Sequence, residues 1–198
     1  MEAEPLKPAK LELRAAENAI HKMEAASSVV EFEEEWRDFL GCLEKVWNKT
    51  ERCCEVVRSQ FQPWQGTYTR LRRKDMLVRY LKQARDADNH SIQEVIEYTP
   101  PSRQIIVGGS TDGKSTAFYG LVVAGDKVLY EGTTPIHIKT TAERVVAVRV
   151  KNNGEWHNPP TSHLGKPVPD AHPLTIAKLG LEFYQNFLEE VEAKFFPK

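Results

Sequence analysis

The sequence predicts an α+β fold with an N-terminal bundle of long helices, an antiparallel β-sheet of about five strands and a C-terminal helix. Apolar residues recur at helical spacing up to about residue 91, and only Gly41 and Gly66 interrupt this stretch with glycine. Beyond it, β-branched runs alternate with Gly and Pro turns, and helical spacing returns after Pro173. The change of character predicts a helical region, 1–91, and a strand region with the last helix, 92–198. Packing of both regions as one domain is an open alternative.

Composition narrows the classes of protein to consider. The chain has 198 residues, 40% of them apolar, which is enough to build a core and excludes a wholly disordered chain. Its net charge of −1 excludes a polycation that coats nucleic acid along its whole length. Three cysteines without metal-ligand spacing predict a reduced intracellular protein. No secretory signal or long apolar span is seen, so we expect a cytoplasmic protein without a membrane partner.

The helical region divides into three predicted helices. The first covers about residues 9–26, and Ser28 followed by Glu31 forms a capping box for the second. The second is predicted over 29–61, about 50 Å at 1.5 Å per residue, and a third over about 67–88, with the Pro and Gly of 62–66 between them. The apolar seam along the second helix is longer than one small domain can cover, which predicts a homodimer. The seam is formed by Trp36, Leu40, Leu43, Trp47, Thr50, Cys54, Val57 and Phe61.

The strand region contains short β-rich runs separated by hairpin turns. The connections are too short for helical crossovers, so the strands should be antiparallel. Residues 151–172 are predicted to form a loop, and the last helix, roughly 173–195, is expected to pack on either the helical bundle or the sheet. The predicted strands are Ile92–Tyr98, Gln104–Gly108, Ala117–Val123, Lys127–Tyr130 and Arg144–Val150.

Residues 108–115 match the phosphate-loop pattern G-x-x-x-x-G-K-[ST]. A phosphate loop requires a helix directly after it, whose N-terminal amides bind the phosphates. Here a β-rich run with an internal glycine follows. We therefore interpret Asp112-Gly113 as the tip of a hairpin.

Three histidines in the Pro-rich loop form a candidate metal site. His157, His163 and His172 lie near Asp170, but their spacings of six and nine match no compact ligand motif. The alternative is that His172 or Asp170 caps the last helix.

A basic segment closes the helical region. Positions 70–85 hold seven basic residues and one acidic residue, which gives a local charge of +6. On one continuous helix, Arg72 and Arg79 would share a polar stripe, and Arg85 would lie within the apolar face. An arginine on a buried stripe needs a partner or a function, so an ion pair with a glutamate of the second helix and a functional role both remain open. The candidate phosphate contacts are Arg72, Arg79 and Lys82.

The string Arg85-Asp86-Ala87-Asp88-Asn89-His90 resembles the R-x4-6-H motif of the HEPN superfamily over about residues 9–91. Members with this motif are typically metal-independent endoribonucleases that act as homodimers, many in toxin–antitoxin or phage-defence systems. The resemblance implies catalysis without a cofactor or metal. It leaves the RNA target and any antitoxin or other regulatory partner unidentified. The family often has Asn after the Arg, where this chain has Asp86.

The resemblance implies roles for three residues. His90 would act as general acid or base, Arg85 would stabilise the charged phosphate, and Asp86 would hold the imidazole in one tautomer. On an ideal helix Arg85 and His90 point about 140° apart. Either the helix ends between 86 and 90, or a second copy of the chain completes the site. The alternatives to an enzyme are a non-catalytic dimeric module whose β half recognises a small ligand or protein, and a purely structural dimer.

Overall fold

The computed structural model describes residues 5–90, 93–107, 121–125, 127–131 and 136–197, with the backbone alone for His90 and Val107. It confirms the predicted α+β class. The helices are α1 (Lys7–Ala25), α2 (Val29–Cys53), α3 (Arg58–Lys74), α4 (Met76–His90) and α5 (Pro173–Phe195), and a single 3₁₀ turn (Cys54–Val57) joins α2 to α3.

Among the residues that the structure describes, the strands form small two-stranded sheets, whereas the sequence predicted one antiparallel sheet of about five strands. β2 pairs with β5, β3 with β4, β7 with β8 and β9 with β10, all antiparallel, and β1 pairs with β6. Each strand has two to six residues, and the predicted loop 151–172 contains β8 to β10. The strands are β1 (Ile96–Thr99), β2 (Ser102–Val107), β3 (Val122–Ala124), β4 (Lys127–Leu129), β5 (Ile136–Thr141), β6 (Arg144–Ala147), β7 (Val150–Asn152), β8 (Glu155–His157), β9 (Ser162–His163) and β10 (Lys166–Pro167).

Two compact units are present. The first comprises Met1–Tyr98 and Val145–Lys198, and the second comprises Thr99–Arg144 with the β2–β5 and β3–β4 pairs. The predicted division near residue 91 differs from this one, because the chain after residue 144 returns to the helices and α5 completes their core.

The first helical hairpin follows its local sequence closely. The Ser28 hydroxyl accepts a hydrogen bond from the Glu31 N–H at 3.2 Å, which confirms the predicted cap of α2. The Glu31 carboxylate reaches back to the N–H of Ser27 at 2.8 Å. Because the N–H groups of both Glu31 and Ser27 are hydrogen-bonded, α2 begins at the position that the capping box predicted.

The second helix is shorter than predicted. It ends at Cys53, and α3 then begins at Arg58 and continues through Pro63, where the sequence predicted a stop. A proline inside a helix costs about 3 kcal/mol. Aromatic packing on α5 offsets that cost, since Phe61 and Trp64 both contact the ring of Phe195.

The predicted third helix is divided in two at Asp75. This residue has extended backbone dihedrals and ends α3, and its carboxylate accepts the N–H of Val78 at 3.1 Å to cap α4. The interruption changes the rotational phase between α3 and α4. A single helical projection across 67–88 is therefore wrong about which residues share a face.

The C-terminal helix packs on the helical bundle, one of the two positions expected for it. It contacts α1, α2 and α4. Phe187 stacks on Trp47 of α2 with ring centroids 5.2 Å apart. The closest approach is at Gly180, where an added Cβ would lie 2.6 Å from Cδ1 of Leu81 on α4.

Candidate nucleic-acid interface

The β7–β8 hairpin and α4 form one face of the first unit. In the β7–β8 register, Val150 lies opposite His157 and Lys151 lies opposite Trp156. Val150 is fully buried, so its side of the hairpin faces inward and the Lys151–Trp156 side faces outward. The inward side is held to α4 by a 2.7 Å hydrogen bond from Asn152 to the Gln83 side chain.

The outward side carries an exposed aromatic ring with two cations close to it. Trp156 is 53% exposed. The guanidinium carbon of Arg149 lies 4.5 Å from the ring centroid, and Nζ of Lys151 lies 5.9 Å from it. Nucleic-acid bases stack on such rings, and phosphates bind such cations.

A turn of two left-handed residues sets this arrangement. Asn153 and Gly154 have φ values of 49° and 83°. A two-residue turn of this kind places the residues beside it in direct register, so Lys151 must face Trp156. Asn153-Gly154 is a hairpin-turn signal in the sequence, but the Lys–Trp pair that this turn dictates was not predicted.

Arg79 and Lys82 lie on α4, the helix on which the inward side of the hairpin packs, and both are half-buried. Burial lowers the pKa of the His157 imidazole, and the positive charge of Arg79 lowers it further, against the opposing effect of Glu155. The lowered pKa favours the neutral imidazole, and the effect of Arg79 shows that His157 lies near this guanidinium. Arg79, a predicted phosphate contact, therefore lies near His157, a candidate metal ligand in the sequence.

Arg72 is not part of this face, which corrects its predicted role as a phosphate contact. It is only 5% exposed, its Nη2 lies 2.5 Å from Oε2 of Glu44, and its guanidinium carbon lies 4.2 Å from the centroid of Trp47. The phase change at Asp75 is the reason. The ion pair with a glutamate of α2 that the sequence analysis considered for Arg85 is formed by Arg72 instead.

Arg85 is one-third exposed rather than buried on an apolar stripe, and its Nη1 lies 3.1 Å from Oδ1 of Asp86. The other oxygen of Asp86 accepts a 2.6 Å bond from Lys82. Burial would raise the pKa of the Asp86 carboxyl, but the bonds and charges of Lys82 and Arg85 outweigh it and lower that pKa. The three half-buried side chains form a charge cluster on α4.

The backbone of α4 is helical through His90. The helix therefore does not end between residues 86 and 90, and positions 85 and 90 differ by about 140° around its axis. Of the two arrangements that would bring Arg85 and His90 together, only the one that uses a second copy of the chain remains. The side chain of His90 lies outside the described part of the structure.

The three histidines of the predicted metal site have separate surroundings. His163 Nδ1 lies 2.9 Å from Oδ1 of Asp75, and His172 Nδ1 accepts the N–H of Leu174 at 3.2 Å as the N-cap of α5. The capping alternative is therefore confirmed. Within the described ranges, no three His, Cys, Asp or Glu side chains are grouped so as to hold a metal ion.

The phosphate-loop match at residues 108–115 lies outside the described residues. Among the helices that the structure describes, none combines the length and apolar content needed to cross a bilayer.

Comparisons with known proteins found no match to this chain among family models, curated proteins or solved structures.

Proposed function

We propose that this protein is an RNA-binding protein that holds single-stranded RNA on the face formed by α4 and the β7–β8 hairpin. The observation that carries the proposal is the exposed Trp156 ring with Arg149 and Lys151 close to it. Base stacking on an aromatic side chain contributes about 1–3 kcal/mol per base, and flanking cations attract the phosphates. Arg79 and Lys82 of α4 would be additional phosphate contacts.

The local nature of the patch suits the composition. A chain of net charge −1 gains no general attraction to nucleic acid, so binding must come from a few cations in the right place. The carboxylate of Asp86 offsets part of the charge of Lys82 and Arg85. Stacking on Trp156 is consequently expected to provide a large share of the affinity.

The test is binding of a fluorescently labelled twelve-residue uridine RNA, followed by anisotropy at several salt concentrations. We expect Trp156→Ala to weaken binding about 5- to 150-fold, which corresponds to 1–3 kcal/mol. Lys151→Ala should reduce the salt dependence by about 0.7 in the log–log slope, the value for one phosphate contact on a single strand.

Matched controls separate this function from the alternatives. Lys45→Ala changes an exposed lysine on α2 and should leave binding unchanged. Trp156→Phe keeps an aromatic plane and should retain most of the affinity. If Trp156→Ala binds RNA as well as the unchanged protein, Arg149 merely covers an exposed ring and the proposal is wrong. A purely structural dimer would show no salt-dependent RNA binding at all.

The catalytic form of the proposal is a metal-independent endoribonuclease of the HEPN type, as the Arg85–His90 motif suggests. The helical course of α4 supports a site shared between two copies in a homodimer, with Arg85 from one and His90 from the other. Arg85 would stabilise the five-coordinate phosphate, and His90 would exchange the proton with the ribose 2′-hydroxyl or the leaving 5′-oxygen. Asp86 would orient Arg85, which it contacts. A toxin–antitoxin or phage-defence role, with an antitoxin as partner, belongs to the same proposal.

A further inference from the structure

A long groove lies between α3, α5 and the β9–β10 hairpin, on residues that the proposed RNA face does not use. Its volume is about 900 Å³, within the range of small-molecule sites. The floor is apolar and aromatic, with Trp64, Tyr68 and Phe183 contributing rings. On α5 the lining runs from Leu179 to Ala193, about 21 Å of helix.

The rim of the groove is acidic. Glu182, Glu189 and Glu190 project from α5, and among the described lining residues Lys166 is the single lysine or arginine. Glu190 hydrogen bonds to the Tyr68 hydroxyl, and this bond adds to the effect of burial in raising the pKa of that phenol. Across the described parts of the chain, no cationic side chain forms a salt bridge with Glu182 or Glu189. Three glutamates against one lysine give the groove a net negative charge above its aromatic floor.

The hairpin wall of the groove is held in place. The N–H of Leu164 donates to Oδ2 of Asp75 at 2.7 Å, and His163 bonds to the other carboxylate oxygen. Leu164 has a φ of 48°, a left-handed conformation that is unfavourable for leucine, and its side chain is 54% exposed at the groove. The wall is thus preformed, which lowers the entropic cost of binding.

We infer that this groove binds an elongated organic cation, a molecule with an apolar body and an ammonium group. The aromatic floor suits the apolar body and attracts a cation through its ring faces. The rim carboxylates supply the counter-charge, and the same charge disfavours anionic amphiphiles and nucleic acid. The inference does not depend on RNA binding, because no residue that lines the groove belongs to the proposed RNA face.

The test uses octyltrimethylammonium, octyl sulfate and octyl glucoside as probes, each below its critical micelle concentration. Binding to the full chain is measured by isothermal titration calorimetry. We expect octyltrimethylammonium to bind at least tenfold more tightly than the anionic and neutral probes. Equal binding of all three probes would overturn the inference, since only the apolar floor would then be recognised.

Variants locate the binding. Glu182→Gln combined with Glu189→Gln should weaken octyltrimethylammonium at least fivefold, whereas the exposed control Glu17→Gln should not. Ala193→Trp, a change at an exposed position, should abolish binding by filling the groove, with an unchanged melting temperature showing that the fold persists. Unaltered affinity in these variants overturns the inference. So does the finding that a Leu/Lys amphipathic peptide occupies the groove while octyltrimethylammonium does not, because the partner would then be a protein.

Discussion

Arg72 and Glu44 form a buried ion pair between α3 and α2, with Nη2 of the guanidinium 2.5 Å from Oε2 of the carboxylate. The indole of Trp47 covers the guanidinium. Nη1 of Arg72 is also buried and has no partner among the described atoms. A pair with this geometry is sensitive to the loss of either member, because the remaining charge would be left unpaired in the core.

We therefore expect Arg72→Met to lower the free energy of unfolding by about 3–5 kcal/mol, measured by urea denaturation. Adding Glu44→Leu should recover a large part of that loss, since both charges are then removed. Strictly additive losses in the double variant would contradict the pairing. RNA affinity, corrected for the folded fraction, should not change in either variant.

Two helical glycines are predicted to respond in opposite ways to replacement by alanine. Gly180→Ala should destabilise the protein by about 1–3 kcal/mol, because its Cβ would displace the buried Leu81 side chain. Gly66→Ala should stabilise it by up to about 1 kcal/mol, because nothing lies within 4 Å of the added Cβ and alanine favours the helix. Thermal unfolding measures both, and stabilisation by Gly180→Ala would show that Leu81 moves freely.

Asp75 predicts a specific dependence of stability on pH. Burial favours its neutral form, but hydrogen bonds from the Leu164 N–H, His163 and the Val78 N–H outweigh burial and lower its pKa. Its ionised form therefore stabilises the fold above the unfolded pKa of about 3.9, and this contribution is lost as pH falls through the lower folded value.

The variant that tests this is Asp75→Asn, which keeps the shape and removes the charge. We expect a loss of about 1–3 kcal/mol at pH 7 in urea denaturation. The difference from the unchanged protein should shrink as the pH is lowered below about 4. A difference that is constant from pH 7 to pH 3 would show that the charge of Asp75 does not contribute.

If the catalytic site is shared between two copies of the chain, mixing two inactive variants should restore part of the RNA cleavage. Arg85→Ala and His90→Ala should each abolish RNA cleavage, and the partly exposed Arg85 should cost less than about 1 kcal/mol of stability. In a 1:1 mixture refolded together, half of the dimers are mixed and each has one intact site. About one quarter of the original activity should then return.

Two measurements would contradict the ribonuclease mechanism. Cleavage of an all-deoxy substrate would show that the 2′-hydroxyl is not used. Loss of cleavage on addition of EDTA would show that a metal ion takes part. If the mixture of the two variants stays inactive while an Arg85→Ala/His90→Ala chain mixed with the unchanged protein is active, the site lies within a single copy.

The sequence by itself determined the α+β class and the local signals that begin helices. The capping box at Ser28 and the His172 cap were readable, because a cap depends on atoms within three residues of it. The hairpin turn at Asn153-Gly154 was readable for the same reason, and with it the pairing of Lys151 with Trp156 could have been predicted.

Only the tertiary structure decided where helices break, which strands pair and which charges are buried. Helix α3 passes through Pro63 because aromatic rings on α5 stabilise it, and Asp75 divides α3 from α4 because Leu164 and His163, nearly ninety residues later, bond to its carboxylate. That division buries Arg72 and leaves Arg85 partly exposed, the reverse of the helical projection. Such outcomes depend on free energies of contacts between distant residues, and the periodicity of one segment carries no information about them.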